Sequence, residues 1–255
     1  MVTAVEFRQE LTGGTTRPLV LTCEEADSQR QDYAVKLKTT RCGVYGLCCE
    51  LVCSHLATLL GIEAVEPAIV DVTAEFVETV PIEGVRNRLR ESLGSNFGTG
   101  FLTGGYSIWP HSKPLSAALR IPACEILGFD VFIQNSDRRP EKPNVLWKEN
   151  EIVVLDHELA FPFPFLIGCV DPWNDEFTLG IRNHLFFQEL RRGPFEIGRF
   201  HGALEAITDD QFDSLFNLIP QEWIEADRIQ VLRQYLPRRR DSANVWIEHI
   251  RRQLQ

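Results

Sequence analysis

The chain has 255 residues, of which 44% are hydrophobic and 24% charged, a composition typical of a folded globular protein and not of a disordered one. Its formal net charge of −10 argues against a protein that binds nucleic acid through a basic face, so direct nucleic-acid binding is not expected. The sequence contains no bilayer-spanning apolar segment and no signal-peptide pattern at its N-terminus, which predicts a cytoplasmic protein with reduced thiols and no membrane association.

The first forty residues alternate between apolar runs and polar turns. This pattern predicts a meander of three strands, over residues 4–12, 18–23 and 33–38. In the third strand, Ala34 and Lys36 share one face, and Tyr33 and Val35 share the other. A single strand lysine is most often solvated, so Lys36 becomes a candidate site residue only together with the downstream motif.

A glycine-rich turn, GGTTRP, links the first two strands. It lacks both the GxGxxG spacing and the Walker lysine of nucleotide-binding loops, and most such turns only reverse the chain. Alternatively, its backbone N–H groups and hydroxyls face a phosphate. The residues concerned are Gly13, Gly14, Thr15 and Thr16.

A helix is predicted over residues 46–60, where apolar side chains recur at helical spacing and Gly61 ends the run. Glu50 lies in its first turns, a place that the helix dipole alone already favours for an acidic residue. The cysteines around this helix fit no common zinc spacing, so buried free thiols are favoured over a metal site. These cysteines are Cys42, Cys48, Cys49 and Cys53.

The middle of the chain continues the mixed pattern. A strand is predicted at residues 66–71, and a charged insertion with a short helix follows it over residues 73–96. Residues 97–102 are predicted as an edge strand that leads into a glycine loop. A helix over residues 115–133 then brings the chain to a polar loop.

The most informative stretch is that loop and the hairpin after it, NSDRRPEKPNVLWKENEIVVLDHELAF. Asp137 lies in the loop, Asn144 begins the hairpin, and Asp156 ends its second strand. A carboxylate at the end of a buried strand is costly unless a cation compensates it. A loop aspartate, an asparagine and a second aspartate around a hairpin is how phosphotransferases hold Mg²⁺ next to a hydroxyl nucleophile.

The C-terminal part is predicted to be mainly helical. Thr208 and Gln211 have the spacing of a capping box, and further helices are predicted at residues 187–191, 195–207, 222–236 and 243–254. The run Arg238-Arg239-Arg240 resembles a substrate patch, but a solvated turn between helices is the favoured interpretation.

NSDRRPEKPNVLW followed by VVLDHELAF resembles the HipA-like kinases, and YAVK resembles the Val-Ala-Ile-Lys strand of protein kinases. The resemblance implies an α+β, two-lobed protein kinase-like fold, with a β-rich N-lobe over residues 1–105 and a mainly helical C-lobe over residues 106–255. It also implies a protein Ser/Thr kinase that uses ATP and Mg²⁺, acts on an unknown protein substrate and has a regulatory partner protein, as in toxin–antitoxin systems.

The resemblance assigns a role to each candidate residue. Lys36 contacts the α- and β-phosphates and Ala34 packs on the adenine, while Glu50 orients the lysine. The glycine-rich turn is a short phosphate loop, and residues 97–102 lead into the hinge that contacts the adenine edge. The catalytic and metal-binding assignments are Asp137 for the acceptor hydroxyl, Arg138 for the loop or the transferring phosphoryl group, and Asn144 and Asp156 for the metal.

One departure from the kinase pattern leaves the activity open. The metal-binding asparagine normally stands five residues after the catalytic aspartate, and Lys142 occupies that position here. Either Asn144 binds the metal in its place, in a loop reshaped by Pro140 and Pro143, or metal binding is weakened. We favour the first alternative. The alternatives are therefore an active kinase, a pseudokinase that binds nucleotide without turnover, and a structural domain in which the Asp137 loop only caps a hairpin.

Overall fold

The computed structural model describes residues 1–12, 16–110, 113–162 and 180–255. Three residues of the predicted phosphate-binding turn, Gly13, Gly14 and Thr15, lie outside the described residues. Within these ranges the protein is a mixed α+β structure, as the sequence predicts. No helix of the described ranges combines the length and the apolar character needed to cross a bilayer.

The N-terminal strands close into a barrel in the order β1-β2-β3-β5-β4. These strands are β1 (Val2–Glu10), β2 (Leu19–Glu24), β3 (Arg30–Lys36), β4 (Pro67–Val72) and β5 (Gly94–Gly100). The barrel closes where β1 pairs in parallel with β4, at Val2–Val70 and Thr3–Asp71. The strand predicted at residues 97–102 is present as β5, although it begins and ends earlier. Its assignment as an edge strand is wrong, because β5 pairs on both sides, with β3 and with β4.

The barrel core follows the predicted two-residue alternation of β3. Tyr33, Val35 and Leu37 point into the barrel, which places Lys36 on the opposite face. The charged insertion folds as two helices instead of one, α2 (Ala74–Thr79) and α3 (Glu83–Arg90), and both bury apolar side chains against this core.

Helix α1 (Gly43–Leu59) belongs to a second and larger core, which it shares with the C-terminal helices. Nearly every turn of α1 is buried, and its thiols are part of that packing. Cys48, Cys49 and Cys53 are fully buried and free, which confirms the prediction of buried thiols in this helix. The larger core thus fixes α1 between the barrel and the rest of the chain.

A small sheet in the order β6-β7-β8 carries the predicted hairpin. Its strands are β6 (Ser107–Ile108), β7 (Val145–Lys148) and β8 (Glu151–Val154). The segment after α1 runs beside β8, where Val154 donates its N–H to Glu63 O over 2.8 Å. This pairing links the hairpin to the end of α1.

The α-helices described in the C-terminal part share the larger hydrophobic core with this sheet. They are α4 (Arg120–Phe132), α5 (Phe187–Leu190), α6 (Gly198–Ala206), α7 (Asp209–Phe216), α8 (Ala226–Asp241) and α9 (Ala243–Leu254). The capping box predicted at Thr208 and Gln211 opens α7, with Gln211 N donating to Thr208 Oγ1 over 3.2 Å.

The arginine run is not the solvated turn between helices that the sequence predicts. Helix α8 continues through all three arginines to Asp241. Arg239 is 2% exposed and lies over the Trp246 ring, while Arg240 donates to Ile207 O over 2.8 Å and to Asp209 Oδ1 over 2.7 Å. Two of these side chains therefore hold α8 against its neighbours and do not form an open patch.

Candidate active site

The candidate active site lies where the barrel, α1 and the β7–β8 hairpin meet. Lys36, the last residue of β3, donates its ammonium to Glu50 of α1, to Asp156 Oδ1 over 2.8 Å and to Glu158 Oε2 over 3.2 Å. Glu50 in turn accepts the backbone N–H of His157 on Oε2 over 2.9 Å. One buried ammonium therefore joins three elements that are distant in sequence.

The electrostatics of this cluster keep the lysine charged. Burial alone would lower the pKa of Lys36, but the carboxylates of Glu50, Asp156 and Glu158 raise it well above its ordinary value. Burial likewise opposes ionisation of Asp156, yet Lys36 and Lys142 hold the pKa of that carboxyl well below its usual range. Asp156 is thus an anion held between two ammonium groups.

The loop before the hairpin is held by a buried arginine. Arg138 is fully buried and forms a fork on Asp130 of α4, with Nε to Oδ2 at 2.5 Å and Nη2 to Oδ1 at 3.1 Å. The same guanidinium donates to the backbone oxygens of Asn144 and, over 3.1 Å, of Leu155. Of the two roles predicted for Arg138, this burial fits support of the loop and leaves no access to a phosphoryl group.

Two further residues, to which the sequence analysis assigns no role, complete this support. Asn135 donates to Asp130 Oδ1 over 3.0 Å and accepts the N–H of Asp137 over 3.1 Å. It therefore links the loop to Asp130 of α4. His184 contacts Asp130 Oδ2 at 2.9 Å. Burial lowers the pKa of His184, although Asp130 opposes that shift. Asn135 was visible as part of the motif, whereas His184 lies 54 positions from its partner and had no local signal.

Asp137 projects from this fixed loop towards the hairpin. Its carboxylate accepts from Lys142 Nζ at 2.5 Å, from Arg139 Nη2 at 3.2 Å and from Asn144 Nδ2 at 3.4 Å. Lys142 also reaches Asp156 Oδ2 at 3.0 Å. The two aspartates therefore face one common space, with Lys142 between them.

The backbone at the two ends of the hairpin has an unusual conformation that suits this arrangement. Asn144 and Asp156 have positive φ values of 49° and 63°. Asparagine and aspartate tolerate this left-handed region better than other residues with side chains. Leu155 N donates to Asn144 O over 3.2 Å, so these two turning points stay side by side.

The structure brings together most of the residues predicted for the site. Lys36, Glu50, Asp137, Asn144 and Asp156 converge, and Ala34 lies half-buried on β3, two residues before the lysine. Glu158, two residues after Asp156, was not predicted to join the cluster. Its position in the motif DHE was the signal that could have identified it.

Thr16, the described residue of the glycine-rich turn, lies beside α3. Its carbonyl oxygen and that of Arg17 accept from Arg88 Nη2, over 3.5 Å and 2.9 Å. These contacts connect the end of the turn to α3, and a phosphate-binding role for Thr16 stays a prediction.

The donor set fits a divalent cation such as Mg²⁺. Oxygens of Glu50, Asp156 and Glu158 all lie within 4.8 Å of one another, and carboxylate oxygens are the ligands that Mg²⁺ prefers. With Asp137 included, four carboxylates share the ammonium groups of Lys36 and Lys142. Among the described residues, the half-exposed Arg139 adds one further positive charge, at Asp137. Negative charge is therefore in excess at the cluster.

A cavity of about 700 Å³ opens beside the loop. Trp109, Lys113, Arg139, Pro140 and Phe186 are among the residues that line it. Arg139, which lines the cavity, also contacts Asp137 Oδ1, so this side chain connects the cavity to the loop carboxylate.

An ammonium paired with a helix glutamate, facing a loop aspartate and a strand-end aspartate on an α+β scaffold, defines a site of the kinase class. The sequence model of the HipA-like kinases matches residues 4–245, and the chain belongs to the HipA-like kinase family, whose members are kinase-type phosphotransferases. Among solved structures, the Helicobacter pylori proinflammatory kinase CtkA has the same fold, with a TM-score of 0.62 at 13% sequence identity; the match covers 98% of this chain and 97% of that one. No curated protein sequence matches the chain.

Proposed function

We propose that the protein is an ATP- and Mg²⁺-dependent kinase that phosphorylates a serine or threonine hydroxyl of a protein substrate. The observation that carries the proposal is the convergence of Lys36, Asp137 and Asp156 on one space, held by a fixed loop and a buried helix glutamate. Membership of the HipA-like kinase family supports the reaction class.

The proposal includes the division of the chain into an N-lobe over residues 1–105 and a C-lobe over residues 106–255. The barrel then forms the body of the N-lobe, and the helices α4 to α9 form the C-lobe. The likeness to CtkA across nearly the whole chain supports this layout. In it, α1 lies between the N-lobe strands β3 and β4 in sequence but packs in the larger core, so Glu50 links the two parts.

In this proposal the nucleotide phosphates lie against Lys36. A Mg²⁺ ion held here with ATP would supply positive charge that neutralises the charge developing during phosphoryl transfer. Asp156, Glu158 and the amide of Asn144 are the groups that would hold the metal. Glu50 keeps the ammonium of Lys36 in place, and Ala34 leaves room for the adenine on the same face of β3.

Asp137 is proposed to orient the acceptor hydroxyl and accept its proton. Its backbone N–H is fixed by Asn135, and its loop is fixed by Arg138, so the carboxylate is positioned before any substrate arrives. The adjoining cavity of about 700 Å³, with aromatic, basic and acidic lining residues, is large enough for several side chains of a polypeptide acceptor.

The test uses labelled ATP and Mg²⁺ with the purified protein, and a generic acceptor such as casein in addition to the protein itself. We expect label transfer by the wild type, a loss of at least about 100-fold in Asp137→Asn, and no change in Asp210→Asn, a matched variant of an exposed aspartate on α7. Equal transfer by the wild type and Asp137→Asn would contradict the proposed role of this carboxylate.

A second candidate function is a pseudokinase that binds nucleotide as a regulatory module for a partner protein. The position of Lys142 against both aspartates favours it, because an ammonium occupies space that a metal ligand normally faces. This alternative predicts a thermal shift with Mg²⁺–ATP but no label transfer. A ligand at a hundred times its dissociation constant stabilises a protein by about 2.7 kcal/mol, which such an assay detects readily.

A further inference from the structure

Lys142 occupies a position that kinase chemistry normally reserves for a metal ligand. It follows Asp137 by five residues, where the kinase pattern has the asparagine that binds a second divalent ion. Its Nζ lies 2.5 Å from Asp137 Oδ2 and 3.0 Å from Asp156 Oδ2. The ammonium therefore bridges the loop and the end of β8, as a bound cation would.

The backbone fixes this lysine in place. Arg139 and Lys142 exchange two backbone hydrogen bonds of 3.0 Å, which close a tight turn around Pro140. Pro143 follows directly and restricts the chain before the hairpin begins. The side chain of Lys142 is 30% exposed, so it is half enclosed and not a freely solvated surface lysine.

The two oxygens of Asp156 are divided between two lysines. Oδ1 accepts from Lys36 at 2.8 Å, and Oδ2 contacts Lys142 at 3.0 Å. A divalent ion that bridged Asp137 and Asp156 through their Oδ2 atoms would occupy the space of the Lys142 ammonium. Two cations cannot share that space, since like charges at contact distance repel strongly where water is partly excluded.

We propose that Lys142 is a tethered cation that replaces one of the two divalent ions of the usual kinase arrangement. This inference rests on the proposed function, and it further specifies the metal requirement of the same site. The chain would then bind a single divalent ion, held by the groups named above, Asp156, Glu158 and the amide of Asn144. The Lys142 ammonium, fixed beside Asp137, would supply the second positive charge next to the transferring phosphoryl group.

The surrounding charges are consistent with a permanent cation. Burial opposes the charge, but Asp156 and Asp137 together raise the pKa of Lys142 above its ordinary value. Arg139 is the other basic group at Asp137, and it approaches the opposite oxygen, Oδ1. A tethered ammonium also differs from a metal ion in one measurable respect, because it does not add to the number of ions bound.

The experiment counts Mn²⁺ ions by electron paramagnetic resonance, in the absence and in the presence of adenylyl imidodiphosphate, a nucleotide that is not hydrolysed. We expect Lys142→Asn to bind about one more Mn²⁺ per chain than the wild type, because it removes the ammonium and adds an oxygen ligand. Lys142→Gln should give the same gain. Lys142→Arg, which keeps the charge, and Lys148→Asn at the other end of β7 should match the wild type.

The double variant Lys142→Asn/Asp137→Asn locates the additional ion, since it should lose that ion and return to the wild-type count. An equal count in the wild type, Lys142→Asn and Lys142→Gln would overturn the inference while leaving the proposed kinase activity intact. If the wild type bound no nucleotide at all, the proposed function would fail, whereas the Mn²⁺ count of the nucleotide-free protein would still decide the role of Lys142.

Discussion

Lys36 Nζ and Asp156 Oδ1 lie 2.8 Å apart, although 120 positions separate the two residues in sequence. The lysine ends a barrel strand, and the aspartate ends the β7–β8 hairpin. Their contact, together with Glu50, joins the barrel to the larger core at a point where Lys36 is buried and Asp156 is largely enclosed. The same contact therefore supports the fold and defines the candidate site.

Removal of the Lys36 charge should destabilise the protein. In Lys36→Met three buried carboxylates lose their common ammonium, and an uncompensated buried charge typically costs about 3–5 kcal/mol. Urea denaturation of Lys36→Met and of Lys148→Met, a matched lysine outside the cluster, measures the difference. A loss below about 1 kcal/mol in Lys36→Met would show that the cluster does not depend on this ammonium.

The buried Arg138 should contribute strongly to the stability of the folded protein. Arg138→Met leaves Asp130 buried without its fork, and we expect a loss of about 3–5 kcal/mol. Adding Asp130→Asn should recover part of that loss, which a double-mutant cycle quantifies. Arg192→Met removes an exposed ion pair with Glu189 and should change stability by less than about 0.5 kcal/mol. Additive effects of Arg138→Met and Asp130→Asn would contradict a direct pairing.

His157 should make stability fall as the pH falls. Burial, with Arg138 nearby, lowers its pKa from 6.5 to about 3, and neither ring nitrogen has a hydrogen-bond partner among the described residues. Between pH 6.5 and about pH 3, His157 is protonated in the unfolded chain but neutral in the folded protein. The free energy of unfolding therefore decreases as the pH falls through this range. Near pH 5 this group contributes a slope of about 1.4 kcal/mol per pH unit.

The measurement compares urea denaturation of the wild type and His157→Leu between pH 5 and pH 6. The buried His184, whose pKa is also lowered, contributes in the same direction in both proteins, so the difference in slope belongs to His157. Identical slopes would mean that His157 can take up a proton in the folded state.

Gly98 should be restricted to glycine because of close packing inside the barrel. A Cβ at this position would lie 2.7 Å from Val70 Cγ2 on the adjacent strand. Gly98→Ala is therefore expected to cost about 1–3 kcal/mol through overpacking. Gly84→Ala, in α3, meets no atom within 4 Å and should be neutral or stabilising by up to about 1 kcal/mol. Thermal unfolding of the two variants provides the comparison, and equal midpoints would argue against the close approach.

Local patterns in the sequence were sufficient for most of the elements and for the motif residues, although not for the second helix of the charged insertion or for the helical arginine run. Strand alternation placed Lys36 on the correct face of β3, and helical spacing placed Glu50 on α1. The partners that depend on tertiary contacts were not predictable in this way. The edge assignment of β5 was wrong because the strands that pair with it are distant in sequence. The prediction of a solvated Arg239 was wrong because Trp246, the ring that covers it, belongs to the next helix.

The reactivity of the buried thiols of α1 reports whether this helix is packed against its surroundings. Burial raises the pKa of Cys48 to about 12 and those of Cys49 and Cys53 well above their ordinary value, so the reactive thiolate is almost absent while the helix stays packed. Modification by a thiol reagent must wait until α1 separates from its surroundings. Because the same helix carries Glu50, the labelling rate of these thiols should report how often the candidate active site opens. A ligand that contacts both α1 and the barrel should slow this labelling.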